Sequence, residues 1–158
     1  MLFSTNYNLY IWLFFYFKYI ILDNERGVSM DLSKEIEIAK NARKNSHSPY
    51  GNYYVGCALK ASSGKIYSGC NVENHGIQGI CAERVAFVKA ISEGERSFQS
   101  ILVIGGKGDK LERCLPCGYC RQFMSEYVDP KEFKVYTIYD NKAEEYTLEE
   151  LLPYSFTL

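Results

Sequence analysis

Two short cysteine strings limit what this chain can become more than any other feature. They are Cys81-Ala82-Glu83-Arg84 and Pro116-Cys117-Gly118-Tyr119-Cys120-Arg121-Gln122, with 35 residues between Cys81 and Cys117. The C-x-x-C spacing favours a metal over a disulfide framework, because the chain is too long and too apolar to need stapling. Three thiolates hold zinc and leave its fourth tetrahedral position open. The fold must therefore bring two distant segments to one point. Each string reads as the start of a helix, where free N–H groups and a partial positive charge favour thiolates. A spacing of three puts Cys117 and Cys120 on one side of a first helical turn.

The residues around the cysteines point to chemistry. Three thiolates leave a zinc site with a net charge of about −1, which weakens the ion as a Lewis acid. Arg84 is the candidate donor that offsets this charge by bonding to the ligand sulfurs. Glu83 is no ligand in this arrangement. It is free to take a proton from a metal-activated water and hand it on. A purely structural site is the alternative, with Cys114 as fourth ligand in a C-x-x-C-x-x-C run. Cys57 and Cys70 fall in strand-like runs and read as core residues. Neither His47 nor His75 has metal-ligand spacing. His47 reads as a loop residue, and His75 as a residue that could line a pocket.

Composition sets bounds. With 158 residues, 47% hydrophobic and 23% charged, one globular domain with a true core is expected. A net charge of −1 argues against a polynucleotide partner. Thiolate ligands require a reducing compartment, which points to the cytoplasm. Residues 9–22 are apolar and aromatic, but the run is shorter than a membrane span and Lys18 interrupts it. It also lacks the flanks of a signal peptide. Three readings stand for residues 1–29: a membrane anchor, an extra packed segment, or upstream sequence outside a protein that starts at Met30. The last is favoured, because Phe, Tyr, Ile, Leu, Asn and Lys are what AT-rich DNA encodes. The expected division is an apolar extension over 1–29 and a catalytic domain over 30–158.

Periodicity predicts the elements. A helix capped by Asp31 stops before Ser46-His47-Ser48-Pro49. A hairpin follows, Tyr53 to Ala61 and Lys65 to Asn71, turning at Ser62-Ser63-Gly64. A second helix runs from about Ile80 to Glu93. Ile101 to Ile104 reads as a central buried strand. A third helix runs from about Cys117 to Tyr127. Lys134 to Tyr139 and Glu144 to Tyr146 are strands about an Asp140-Asn141 turn, and Thr147 and Glu150 form a capping-box pattern for a last helix. This order implies an α/β fold, a sheet with helices on both faces.

These strings resemble the zinc-dependent cytidine deaminases in their small, one-domain form. The similarity extends through Ser48-Pro49-Tyr50, Val55-Gly56-Cys57-Ala58-Leu59, Gly69-Cys70-Asn71-Val72-Glu73-Asn74 and Glu149-Glu150-Leu151-Leu152-Pro153. It covers nearly all of the chain from Asp31 onward. The wider deaminase signature has histidine as first ligand; cysteine at position 81 is similar to the nucleoside enzymes. The resemblance implies a three-layer α/β/α sandwich with a mixed sheet of about five strands. It implies one zinc per chain on Cys81, Cys117 and Cys120, with Glu83 catalytic and Arg84 behind the ligands. It implies substrate contacts from Asn71 and Glu73 to the ribose, from Tyr53 beside the nucleoside, and from backbone at Ala82 and Pro116 to the base. Phe156 would reach the base of a neighbouring subunit in a homotetramer. The implied reaction is hydrolysis of cytidine and deoxycytidine to uridine and deoxyuridine with release of ammonia, as in pyrimidine salvage.

The chain departs from the family in the loop between Asn71 and Cys81. It is one residue shorter, lacks the usual aromatic residue, and holds His75-Gly76-Ile77-Gln78-Gly79. This leaves a modified cytosine nucleoside such as blasticidin S as an alternative substrate, although the blasticidin-S deaminases lack the Asn-x-Glu pair kept here. A non-catalytic zinc-stabilised binding module is the alternative from another class.

Overall fold

The computed structural model describes residues 20–22 and 29–156. Its elements run β1 (Ile20–Leu22), β2 (Ser29–Asp31), α1 (Ser33–Arg43), β3 (Tyr54–Ala61), β4 (Ile66–Cys70), α2 (Ala82–Ser92), β5 (Phe98–Gly106), α3 (Gly118–Ser125), β6 (Lys134–Tyr139), β7 (Lys142–Thr147) and α4 (Leu148–Leu151). The readings of residues 1–29 fall outside the described residues except at 20–22 and 29, where β1 pairs antiparallel with β2. Among the described residues, no helix is long and apolar enough to cross a membrane.

Alternation along the strands builds the sheet. Its order is β4-β3-β5-β6-β7. The β3–β4, β3–β5 and β6–β7 pairs are antiparallel, and β5–β6 is parallel. Side chains two apart share a face. Cys57, Leu59, Ile101, Val103 and Val135 pack with Ala82, Ala86, Phe87 and Ala90 of α2 and Met124 of α3. Ala58, Leu102, Ile104, Tyr136 and Ile138 face the other way, onto Ile36 and Ala39 of α1 and Leu32 just before it. The result is the expected three-layer sandwich with five mixed strands.

A parallel pair needs a crossover. Here the crossover from β5 to β6 carries α3, and with it Cys117 and Cys120. Helix α2 is pressed close to the sheet at Gly69 of β4. A Cβ on Gly69 would lie 2.1 Å from the Ala82 carbonyl oxygen and 2.8 Å from the Ala86 nitrogen. The missing side chain lets the first turn of α2 touch the strand, which sets the height of Cys81. Asp140 and Asn141 take φ of 47° and 58°, the left-handed pair that a two-residue hairpin turn requires. Thr147 and Glu150 form the predicted capping box, with bonds of 3.2 Å and 2.7 Å.

Among the boundaries that differ from expectation, three have a physical reason in the structure. Ile80 exchanges backbone hydrogen bonds with Val72, so α2 starts only at Ala82. Asp31 belongs to β2 and accepts from the Ser33 N–H at 2.9 Å, while Leu32 is the residue at the cap position. Helix α3 ends at Ser125 rather than Tyr127, where the chain turns toward Asp129.

Candidate metal centre and substrate pocket

Cys81 and Cys117 occupy the N-cap positions of α2 and α3, both with extended backbone and no side-chain capping bond. Cysteine caps poorly, so the first-turn N–H groups keep their donor capacity and their positive potential beside the sulfurs. Cys120 sits one helical turn beyond Cys117. The three sulfurs all lie within 4.8 Å of one another. A tetrahedral zinc with bonds of about 2.3 Å sets sulfur–sulfur separations of about 3.8 Å. Cys81 and Cys117 stand 3.8 Å apart. The donor set and its spacing therefore fit zinc. Cys114 is not part of this group: it is buried elsewhere, in contact range of Gly105 and Tyr53. Among the described residues the cluster thus has three protein donors and no fourth, which goes against the four-thiolate structural alternative.

Electrostatics differentiate the thiols. Hydrogen bonding from Cys120 is the largest influence on Cys81 and, with Arg84 and Cys117, lowers it to about 5 despite burial. The same contact, with burial, pushes Cys120 up.

Glu83 lies in the first turn of α2 and is 3% exposed. Burial pushes its carboxyl up to about 7, and the charge of Cys81 adds to this against hydrogen bonds and Arg84. A carboxyl balanced near neutral pH both accepts and releases protons. Burial opposes the charge of Arg84, but hydrogen bonding to Cys81 and Cys120 outweighs it and raises its pKa. Arg84 Nη2 also donates to the Gly79 carbonyl at 3.2 Å. Its Nε is buried with no partner.

A cavity of about 380 Å³ opens beside Cys81, lined by Tyr50, Asn71, Val72, Glu73, Asn74, Gly76, Gly79 and Ile80 as well. The Glu73 carboxylate accepts from Ser48 Oγ at 2.7 Å, from the Tyr50 N–H at 2.8 Å and from the Gly51 N–H at 3.1 Å. The Ser48 bond, then the two backbone bonds, hold its pKa below the usual range. It is a fixed acceptor. Asn71 accepts from the Val55 N–H at 2.8 Å and donates to the Tyr53 carbonyl at 2.9 Å. Its amide keeps one further donor and one lone pair.

Other expected contacts lie further out. Tyr53 is outside the cavity lining, and its hydroxyl is bonded with Cys114. Burial and that neighbour push its pKa up. A Cβ on Gly105 would stand 2.9 Å from Tyr53 Cε1, so glycine makes room for the ring. Ala82 is fully buried at the start of α2. The Pro116 carbonyl accepts from Arg121 Nε at 2.7 Å. Phe156 is 59% exposed, and its carbonyl accepts from Gln122 Nε2 at 2.9 Å. Cys57 is fully buried and Cys70 half-buried. His75 is outside the cavity lining, with its ring 5.9 Å from Tyr50.

Sequence reading missed three parts of this site. The Ser48–Gly51 turn was quoted but not given its role as the clamp on Glu73. Arg121 and Gln122 were part of the motif, yet their function here is to tie the C-terminal tail to α3. Tyr119, between Cys117 and Cys120 in the chain, carries no local signal of its contact. Its ring centroid is 4.4 Å from the Arg84 guanidinium carbon.

The family described as cytidine and deoxycytidylate deaminase zinc-binding region matches residues 30–137. A cytidine deaminase of Sporosarcina psychrophila is 40% identical over 129 residues, covering 81% of this chain and 93% of that protein. A cytidine deaminase of Halalkalibacterium halodurans is 40% identical over 131 residues, covering 81% and 96%. The crystal structure of cytidine deaminase from Burkholderia pseudomallei aligns with a TM-score of 0.72 at 36% identity, over 80% of this chain and all of that one.

Proposed function

This chain belongs to the cytidine and deoxycytidylate deaminase zinc-binding family, and from that membership we propose how its residues carry out hydrolytic deamination of cytidine and deoxycytidine to the uracil nucleosides and ammonia. One observation carries the reading: three sulfurs spaced for zinc meet beside a buried carboxyl held near neutral pKa. Zinc, when bound by Cys81, Cys117 and Cys120, supplies an activated water for attack at C4 of cytosine. Glu83 would take one proton from the attacking water and deliver it to N3, then take the second from the hydroxyl added at C4 and deliver it to the amine as ammonia leaves. Arg84 offsets the negative charge of the thiolates. Glu73 and Asn71 hold the ribose hydroxyls, and the fixed Glu73 carboxylate repels a phosphate. That repulsion favours nucleosides over nucleotides. Backbone groups around Ala82 and Pro116 read the base, with Tyr53 packed behind the pocket.

The same reading includes a homotetramer in which Phe156 reaches a neighbouring subunit's base. It is supported by the exposure of Phe156 and by the Gln122 bonds that fix the tail carrying it. Cytoplasmic location is supported by free thiols throughout the described residues. The test is loss of cytidine absorbance on adding the zinc-loaded protein, run over a panel of nucleosides and cytidine monophosphate. Turnover of cytidine and deoxycytidine, abolished by Glu83→Gln, is expected. A zinc-loaded protein inert on both would refute the assignment, and faster turnover of a modified cytosine nucleoside would move it to that substrate.

A further inference from the structure

Arg84 is close enough to Cys81 and Cys120 for their sulfurs to raise its pKa, and its long chain must be held there to offset their charge. Two contacts besides the sulfurs restrain it. The Gly79 carbonyl accepts from Nη2 on one side. On the other, the Tyr119 ring lies 4.4 Å from the guanidinium carbon, and Tyr119 is 65% exposed, so it forms the outer cover. A ring stacked on a guanidinium is attracted to its charge and leaves its in-plane N–H groups free to donate elsewhere. Tyr119 also sits between Cys117 and Cys120 in the chain. The clamp is therefore built into the ligand-bearing turn and shares its position with two of the sulfurs.

We infer that Tyr119 is a positioning residue for the metal centre: its ring holds the Arg84 guanidinium against the sulfurs of Cys81 and Cys120. The inference rests on the zinc-deaminase reading above. The clamp needs the face of the ring and not the hydroxyl. A guanidinium kept in place offsets the negative charge that three sulfurs would bring to a bound ion, which stabilises the loaded site. Without the ring, Arg84 is free to turn toward water and the charge on the ligands is offset only part of the time.

The experiment compares zinc-loaded wild type with Tyr119→Phe, Tyr119→Leu and Tyr119→Ala. Zinc affinity is read by competition with a chromogenic chelator, and the sulfur-to-metal charge-transfer band is read after cobalt substitution. Leucine covers similar surface without a π face, so it controls for simple packing. Leu and Ala are expected to weaken zinc binding by about 3- to 30-fold and to shift the cobalt band. They should lower kcat by a similar factor while KM for cytidine stays within about twofold. Phe restores all of these. On an Arg84→Ala background, Tyr119→Leu has no further effect on zinc affinity. The inference is overturned if Leu binds zinc as tightly as wild type with an unshifted band, if Phe is as damaging as Leu, or if the Leu effect adds in full on Arg84→Ala. Should wild type hold zinc but leave cytidine unchanged, the substrate assignment fails, and the zinc and cobalt readouts still decide the role of Tyr119.

Discussion

Replacing Glu83 with glutamine separates what the carboxyl does for the reaction from what it does to the fold. The side chain is 3% exposed, and burial lifts its pKa from 4.5 to about 7. The folded chain therefore binds an extra proton between those two values. Stability conferred by that proton is present below the unfolded pKa and is lost as pH rises through the folded one. At 1.36 kcal/mol per unit, the full cost above neutral pH is about 3 kcal/mol. Glutamine never ionises and escapes this cost. In thiol-reduced protein stripped of metal by a chelator, Glu83→Gln should gain under about 1 kcal/mol at pH 5 and about 3 kcal/mol at pH 8. Urea denaturation at several pH values measures the difference. Turnover should fall by about 10²- to 10⁴-fold, the range of a lost general acid–base group. A gain of equal size at all pH values would refute the reasoning, since its source would then be packing. So would no gain at pH 8.

Gly69→Ala puts a methyl group 2.1 Å from the Ala82 carbonyl oxygen; it should cost about 1–3 kcal/mol in urea denaturation and weaken zinc binding, because the displaced turn carries Cys81. Glu73→Gln removes the fixed charge proposed to hold a sugar hydroxyl and should raise KM for cytidine by about 10- to 100-fold with kcat nearly kept; an unchanged KM counts against its assignment. Thr147→Ala breaks the capping box of α4 and should lower stability by about 1 kcal/mol, with zinc affinity as the control that stays constant.

The fold was legible wherever a short-range pattern decides it. Ile101 to Ile104 and Lys134 to Tyr139 alternate faces, and each landed as the pattern requires. Helix starts were legible to within a residue or two, because they depend on what the preceding backbone is already bonded to. Ile80 is the example: nothing near it in sequence reveals its exchange with Val72. The ligand set was legible because zinc imposes residue type and spacing together. The supports around it were not. Arg43 bridges the carbonyls of Tyr54, Gly106 and Gly108, Ser48 reaches Glu73 across 25 positions, and Tyr119 meets Arg84 across two helix starts. Such contacts follow from the reach of side chains in the folded state, and no local pattern encodes them.

The parallel pairing of β5 with β6 has a consequence for the order of events during synthesis. Strands β3 and β4 close through a tight hairpin, and α2 with Cys81 docks on nearby chain. The register of β5 on β6 waits until the crossover carrying Cys117 and Cys120 has emerged and folded back. Until then Cys81 stands at its helix start without its two companions, whose hydrogen bonds are part of what lowers its pKa in the folded chain. The crossover that sets the parallel register is thus also the segment that completes the cysteine cluster. Pulsed thiol labelling during refolding should find Cys57 protected before Cys120, and the reverse order would contradict this sequence of assembly.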